Sequence, residues 1–83
     1  MSVYALQKLL RDVNRIPARR EAYFQSPAKF AEDYELTDHE REALVQFDIR
    51  ALYDMGVHGL ILRPFTILHK VSDPDYVKIL RGE

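Results

Sequence analysis

Apolar residues recur at helical spacing along most of the chain, and the first segment shows this most simply. Its apolar positions share one face of a helix: Val3, Leu6, Leu9, Leu10 and Val13. The charged positions between them face away: Lys8, Arg11 and Asp12. A helix with one apolar face is the pattern of an amphipathic helix packed on a core. Ser2 can cap its start, and the stretch from Asn14 to Pro17 predicts its end.

Two shorter helices are predicted next. The first covers residues 18 to about 25. Ser26 and Pro27 then place a capping side chain before a proline at the first helical position, which opens a further short helix toward residues 30–34. The same combination at Ser72 predicts a C-terminal helix over residues 74–81.

The longest helix is predicted over residues 37–55. Thr37 and Glu40 form the pattern of a capping box, in which each side chain satisfies a free amide of the first turn. Gly56 can take the left-handed conformation that ends such a helix. The apolar positions sweep about 200° of its surface at about 100° per residue, which predicts a central, largely buried helix.

The segment Val57–Leu68 is apolar on nearly every side. Pro64 is expected to kink or split any helix there, because proline removes one backbone hydrogen bond. A β-hairpin is the alternative, although no tight-turn dipeptide joins two alternating runs. The fold class predicted from all segments is all-α, a compact bundle of about five short helices. The length of 83 residues suits a single domain over residues 1–83.

Composition narrows the possible functions. The chain has no cysteine, which excludes disulfides, thiolate nucleophiles and cysteine-ligated metals. The net charge of -1 gives no bulk attraction to nucleic acid or to anionic lipid. No apolar run approaches the roughly 18 residues of a membrane span, and the N-terminus lacks the pattern of a secretory signal. We therefore expect a cytoplasmic protein with neither nucleic-acid nor membrane partners.

The three histidines form no metal-binding pattern. His39 and Glu40 begin a sequence that fails the HExxH motif, since Ala43 stands where the second histidine is needed. His58 and His69 would lie about 16 Å apart along an unbroken helix. No serine has histidine and aspartate arranged around it for nucleophilic catalysis. We expect no metal site, no cofactor and no catalytic residue within this chain.

Asp48 is the most unusual residue of the predicted long helix. It falls within the apolar arc, between the directions of Leu44, Leu52 and Met55. A buried carboxylate must be paired or hydrogen-bonded, or it becomes neutral. One interpretation is a structural ion pair with Arg63 or with one of the arginines near the first helix. The other is that Asp48 shapes an interface or a ligand pocket.

The Val57–Leu68 segment supplies the other interface or pocket candidates. A small domain has no centre large enough to bury an apolar helix completely, and an exposed apolar flank usually marks an interface. The candidates are His58, Leu60, Ile61, Phe65 and Leu68. Coverage of the segment by two other helices of the chain is the alternative.

An ordered set of features between Phe24 and Leu62 resembles a known family. The set includes a proline-led turn, Tyr34-x-Leu36-Thr37 with an acidic capping turn, Ala43-Leu44, Asp48, and Gly56-x-His58 followed by apolar residues. It is similar to the small, or alpha, subunit of protocatechuate 4,5-dioxygenase, the LigA-like family of extradiol ring-cleaving dioxygenases. These features cover about half of the chain.

The resemblance implies a helical, non-catalytic small subunit that packs on a separate large subunit. In that family the large subunit binds non-haem Fe(II) and cleaves catechol-type rings with dioxygen, and the small subunit helps to cover the active site without supplying a metal ligand. The alternative is a stand-alone helical adaptor or regulatory protein that associates with itself. The expected partner is therefore either a large dioxygenase subunit or a second copy of this chain.

Overall fold

The computed structural model describes residues 3–82, which form seven α-helices and no strand. Five of the helices have at least seven residues, and the all-α prediction is confirmed. The predicted cap at Ser2 lies outside the described residues. The helices are α1 (Val3–Arg15), α2 (Pro17–Gln25), α3 (Pro27–Ala31), α4 (Asp38–Val45), α5 (Ile49–Asp54), α6 (Gly59–Leu68) and α7 (Asp73–Arg81).

The core forms where α1 packs against α6 and α2. The predicted apolar face of α1 is confirmed, because Leu6, Leu9, Leu10 and Val13 are fully buried. On α6 the buried positions are Leu62, Phe65 and Thr66. Arg20 closes the C-terminal end of α1 by donating to the carbonyls of Val13 at 3.1 Å and Asn14 at 2.7 Å.

The predicted long helix over residues 37–55 is wrong, and α1 with 13 residues is the longest helix of the described chain. Its start is confirmed, since Thr37 and Glu40 form the capping box. The helix breaks after Val45, and Phe47 takes a positive φ of 54°. Asp48 then begins α5, its side chain accepting a hydrogen bond from the Ala51 amide at 3.1 Å. Such a local bond offers the backbone an alternative to continuing the helix.

The ends of the other helices follow the sequence closely. Ser26 and Ser72 each accept a backbone N–H bond at the start of α3 and α7. Gly56 adopts a φ of 101°, the left-handed turn that was expected after residue 55. Helix α3 is shorter than predicted and ends at Ala31. The local hydrogen bonds of these caps account for the success of the predictions.

Of the two expected effects of Pro64, a kink or a split, the split does not occur, because α6 continues from Gly59 to Leu68. The bond that Pro64 cannot donate would go to the Leu60 carbonyl, one turn earlier. Both residues are exposed, so water can take the place of the missing donor. Burial of Leu62 and Phe65 on the opposite face holds the helix together across the proline.

Helix α7 packs against α5 at the edge of the core, and none of its residues is fully buried. Arg63 connects it to α6. The guanidinium donates to the Val71 carbonyl at 3.2 Å, forms an ion pair with Asp73 and lies over the Tyr76 ring at 4.7 Å. Arg50 also donates to the Leu80 carbonyl at 2.6 Å. Arg63 is thus a structural anchor and not the partner of Asp48.

Candidate functional site

The structure separates the six predicted interface residues into three places. His58, Leu60 and Ile61 lie together at the start of α6. Phe65 and Leu68 lie further along α6. Phe65 is in the core, and Leu68 lies at the edge of the core. Asp48 is at the start of α5, in a shallow depression that it shares with His39 and Glu42.

The buried position predicted for Asp48 is wrong. Asp48 is exposed, and its carboxylate caps α5 instead of pairing with an arginine. The prediction failed because it assumed one continuous helix. The break at Phe47 changes the directions of the side chains that follow it, including that of Asp48.

Replacing Asp48 with alanine should therefore lower the free energy of unfolding by about 1 kcal/mol, the ordinary cost of losing an N-cap. Urea denaturation followed by circular dichroism measures this change. Asp54→Ala, which removes an exposed ion pair with Arg50, is the control and should cost no more than ~1 kcal/mol. A loss above about 3 kcal/mol for Asp48 would mean that the carboxylate is buried and paired after all.

Phe65 also differs from its prediction, because it belongs to the core and is fully buried. Its ring packs against Tyr23, Phe47 and His69 at centroid distances between 5.0 and 5.8 Å. It is therefore inaccessible to a partner of the folded chain. Leu68 is half-buried against the same core.

The outward face of α6 carries a row of apolar residues, Leu60, Pro64 and Ile67, which we call the apolar ridge. The spacing of four and then three residues places them along one line of the helix. Leu60 is 81% exposed and Ile67 is 54% exposed. An amphipathic helix normally presents polar residues on this side. The apolar ridge is the exposed flank that the sequence predicted, now located on a defined face.

The outward face of α1 carries a second row, Tyr4, Lys8, Arg11 and Arg15, which we call the basic strip. These residues are spaced by four, three and four positions and all are exposed. Tyr4 is 76% exposed at the N-terminal end of the strip. The basic strip thus joins one aromatic ring to three positive charges.

The basic strip borders a hollow between α1 and α6. The hollow is lined by Tyr4, Gln7, Lys8 and Arg11 from α1 and by Ile61 from α6. The Gln7 side chain accepts a hydrogen bond from the His58 amide at 2.8 Å, which ties the start of α6 to α1. The His58 imidazole in turn accepts from the Leu60 amide at 3.0 Å and caps α6. His58 therefore positions the apolar ridge.

The sequence pattern did not single out Tyr4 and Arg11 of the basic strip or Ile67 of the apolar ridge as candidate site residues. The signal for the basic strip was present, because the residues opposite the apolar face of α1 repeat with the same helical period. Ile67 gave no such signal, since its direction relative to Leu60 depends on whether α6 continues through Pro64.

A second unusual group surrounds His69, at the C-terminal end of α6. The imidazole stacks on the Phe47 ring at 3.7 Å, and its Nε2 atom lies 2.9 Å from the Tyr23 hydroxyl. Phe24 and Phe65 complete the aromatic surroundings. Burial lowers the pKa of His69 and raises the pKa of Tyr23, so the neutral forms of both residues are favoured in the folded state.

The lowered pKa of His69 predicts that acid destabilises the fold. Between the pKa of the folded state and about 6.5, the unfolded state binds more protons, and stability falls as the pH is lowered through this window. Urea denaturation from about pH 7.5 to about pH 5 should show a smaller loss of stability in His69→Gln than in the wild type. His39→Gln, at an exposed first-turn position, is the control. Equal pH profiles for the wild type and His69→Gln would refute the prediction.

The described part of the chain offers no metal centre and no membrane-spanning element. Within residues 3–82, no three histidine or acidic side chains are close enough to share an ion. No helix in that same range has the length and apolar character needed to cross a bilayer.

Comparison with known proteins identifies the family. The family model described as "Aromatic-ring-opening dioxygenase LigAB, LigA subunit" matches residues 6–83. The match spans nearly the whole chain and extends well beyond the features at residues 24–62 that carried the resemblance. No match is found among curated proteins or among solved structures. The chain belongs to the LigA family.

Proposed function

We propose that this LigA-family chain is a non-catalytic small subunit of an aromatic-ring-opening dioxygenase and helps to cover the active site of a separate large subunit. The observation that carries the proposal is the family match over residues 6–83. The exposed apolar ridge on α6 supports it, because contiguous apolar residues on the surface of a small protein usually mark an interaction site.

In this proposal the iron belongs to the large subunit, where it would supply the chemistry of dioxygen and the aromatic ring. The residues of this chain would contact the large subunit and cover its active site. An apolar surface laid over the mouth of an active site excludes water, which strengthens the electrostatic interactions within it. His58 and Gln7 serve this role indirectly, by fixing the start of α6 against α1.

Co-expression of this chain with a large dioxygenase subunit from the same genome tests the proposal. We expect the two chains to co-elute in size-exclusion chromatography. Ring cleavage of a catechol-type substrate should be faster with the complex than with the large subunit alone, and the small chain alone should be inactive. If the two chains elute separately and activity is unchanged, the dioxygenase role is wrong.

The alternative of a self-associating adaptor predicts a different result. The isolated chain would then form a stable oligomer that does not bind the large subunit. Analytical ultracentrifugation of the chain by itself separates the two possibilities. The proposal expects no homo-oligomer stable enough to compete with the large subunit.

A further inference from the structure

We infer that the hollow between α1 and α6 binds one carboxylate side chain, from an aspartate or a glutamate of the large subunit. The inference rests on the proposed function and specifies the chemistry of one contact. The donors that line the hollow, the bond that fixes Gln7 and the size of the hollow carry it.

The polar side chains that line the hollow are hydrogen-bond donors, and no acidic residue is among them. Lys8 and Arg11 bring two positive charges from neighbouring turns of α1. The Tyr4 hydroxyl can donate as well. An ionised carboxylate carries negative charge and accepts hydrogen bonds without donating any, so it matches this set of groups.

Gln7 adds a donor whose position is fixed. Its Oε1 atom accepts from the His58 amide at 2.8 Å, and among residues 3–82 this is the hydrogen bond that the Gln7 side chain forms. The acceptor of the side-chain amide is therefore occupied by the protein itself. The Nε2 group keeps its two N–H donors for a ligand.

The two cations of the hollow are available to a ligand. Among residues 3–82, Arg11 has no carboxylate within 4.0 Å. Lys8 lies 3.7 Å from Asp12 and is 53% exposed, and an ion pair of this kind contributes little to stability. The Asp12 carboxylate also accepts from the Tyr34 hydroxyl at 2.6 Å, so it keeps a partner when Lys8 turns toward the hollow.

The hollow is the right size for the end of one acidic side chain. Its volume is about 100 Å³, which equals about three water molecules at roughly 30 Å³ each. A carboxylate with one or two methylene groups fills such a space, and Ile61 offers the methylene groups an apolar wall.

A side chain of the large subunit suits the hollow better than a free small carboxylate does. Lys8 and Arg11 are exposed, so solvent screens their attraction for an isolated ion. A carboxylate that belongs to a docked protein is presented at a high effective concentration by the rest of the contact. We therefore assign the carboxylate to the large subunit.

Gln7→Glu tests the inference most directly. The new side chain keeps an oxygen that can accept from the His58 amide, but a negatively charged oxygen replaces the free donors. Binding of the purified large subunit, measured by isothermal titration calorimetry, should weaken at least about 10-fold. Gln46→Glu makes the same change of charge at the exposed C-terminal end of α4, outside the hollow, and should stay within about twofold of the wild type.

Arg11→Gln is the second variant, because it removes one charge of the hollow without adding another. It should weaken binding about 5-fold and reduce the dependence of the Kd on salt between about 50 and about 300 mM NaCl. Circular dichroism of each variant establishes that the helices are retained.

Three outcomes overturn the inference in distinguishable ways. If the wild type binds and both Gln7→Glu and Arg11→Gln bind equally well, the hollow is not part of the contact while the proposed function stands. If the wild type does not bind the large subunit, both are wrong. If propionate alone saturates NMR shifts of Gln7 and Ile61 with a Kd below about 1 mM, and Gln7→Glu abolishes these shifts, the ligand is a free small carboxylate and not the large subunit.

Discussion

Phe65→Ala should lower the free energy of unfolding by about 3–5 kcal/mol, the usual cost of removing a fully buried aromatic ring. Phe65 has no exposed surface and packs against three other aromatic side chains. A chain of 83 residues has a small core, and the stability of a domain is of the order of 5–15 kcal/mol in total. We therefore expect a large unfolded fraction at physiological temperature.

Urea denaturation monitored by far-UV circular dichroism measures this loss. Phe24→Ala is the matched control, because the Phe24 ring belongs to the same aromatic group but is 46% exposed. It should cost markedly less than Phe65→Ala. If Phe65→Ala has the same free energy of unfolding as the wild type but no longer binds the large subunit, Phe65 is an interface residue, as the sequence suggested.

Arg63→Ala should detach the start of α7 and lower stability by about 1.5–3 kcal/mol. The change removes the bond to the Val71 carbonyl and the contact with the Tyr76 ring. The ion pair with Asp73 adds little, because that carboxylate is 85% exposed. Since no residue of α7 is fully buried, few other interactions hold its first turn.

Amide hydrogen exchange shows which helices lose protection in the Arg63→Ala variant. We expect protection to be lost in the first turns of α7 and retained in α1, because weakly packed elements open separately from the core. Arg41→Ala, which removes an exposed ion pair with Asp38, should leave both helices unchanged. Uniform loss of protection across α1 and α7 would show that Arg63 supports the whole core instead.

The sequence predicted those parts of the fold that depend on neighbouring residues. The caps at Ser26, Thr37 and Ser72 were recognised because each is a bond between residues three apart. The break between α4 and α5 was missed for the opposite reason. Nothing local forbids a helix through Phe47, and its positive φ is accompanied by stacking on His69, which is distant in sequence.

The candidate surface was predicted only in part, again for physical reasons. The apolar character of residues 57–68 indicated an exposed flank, and Leu60 lies on it. The pattern could not assign Phe65 to the inside and Ile67 to the outside, because it is apolar on nearly all sides. That assignment comes from the packing of α6 on α1, which brings residues about fifty positions apart into contact.

The bond between Gln7 and the His58 amide spans 51 positions of the chain, and this has a consequence for the order of folding. Caps that act within a few residues favour the starts of α3, α4, α5 and α7 early, but helices this short become stable only when they pack on the core. Closing the long loop between α1 and α6 costs more entropy. The contacts that offset this cost form only when both helices are present. The docking of α1 on α6 is therefore expected to be the rate-limiting step. A chain in which this step is incomplete lacks the bond that fixes the start of α6, so Leu60 has no defined position to offer a partner.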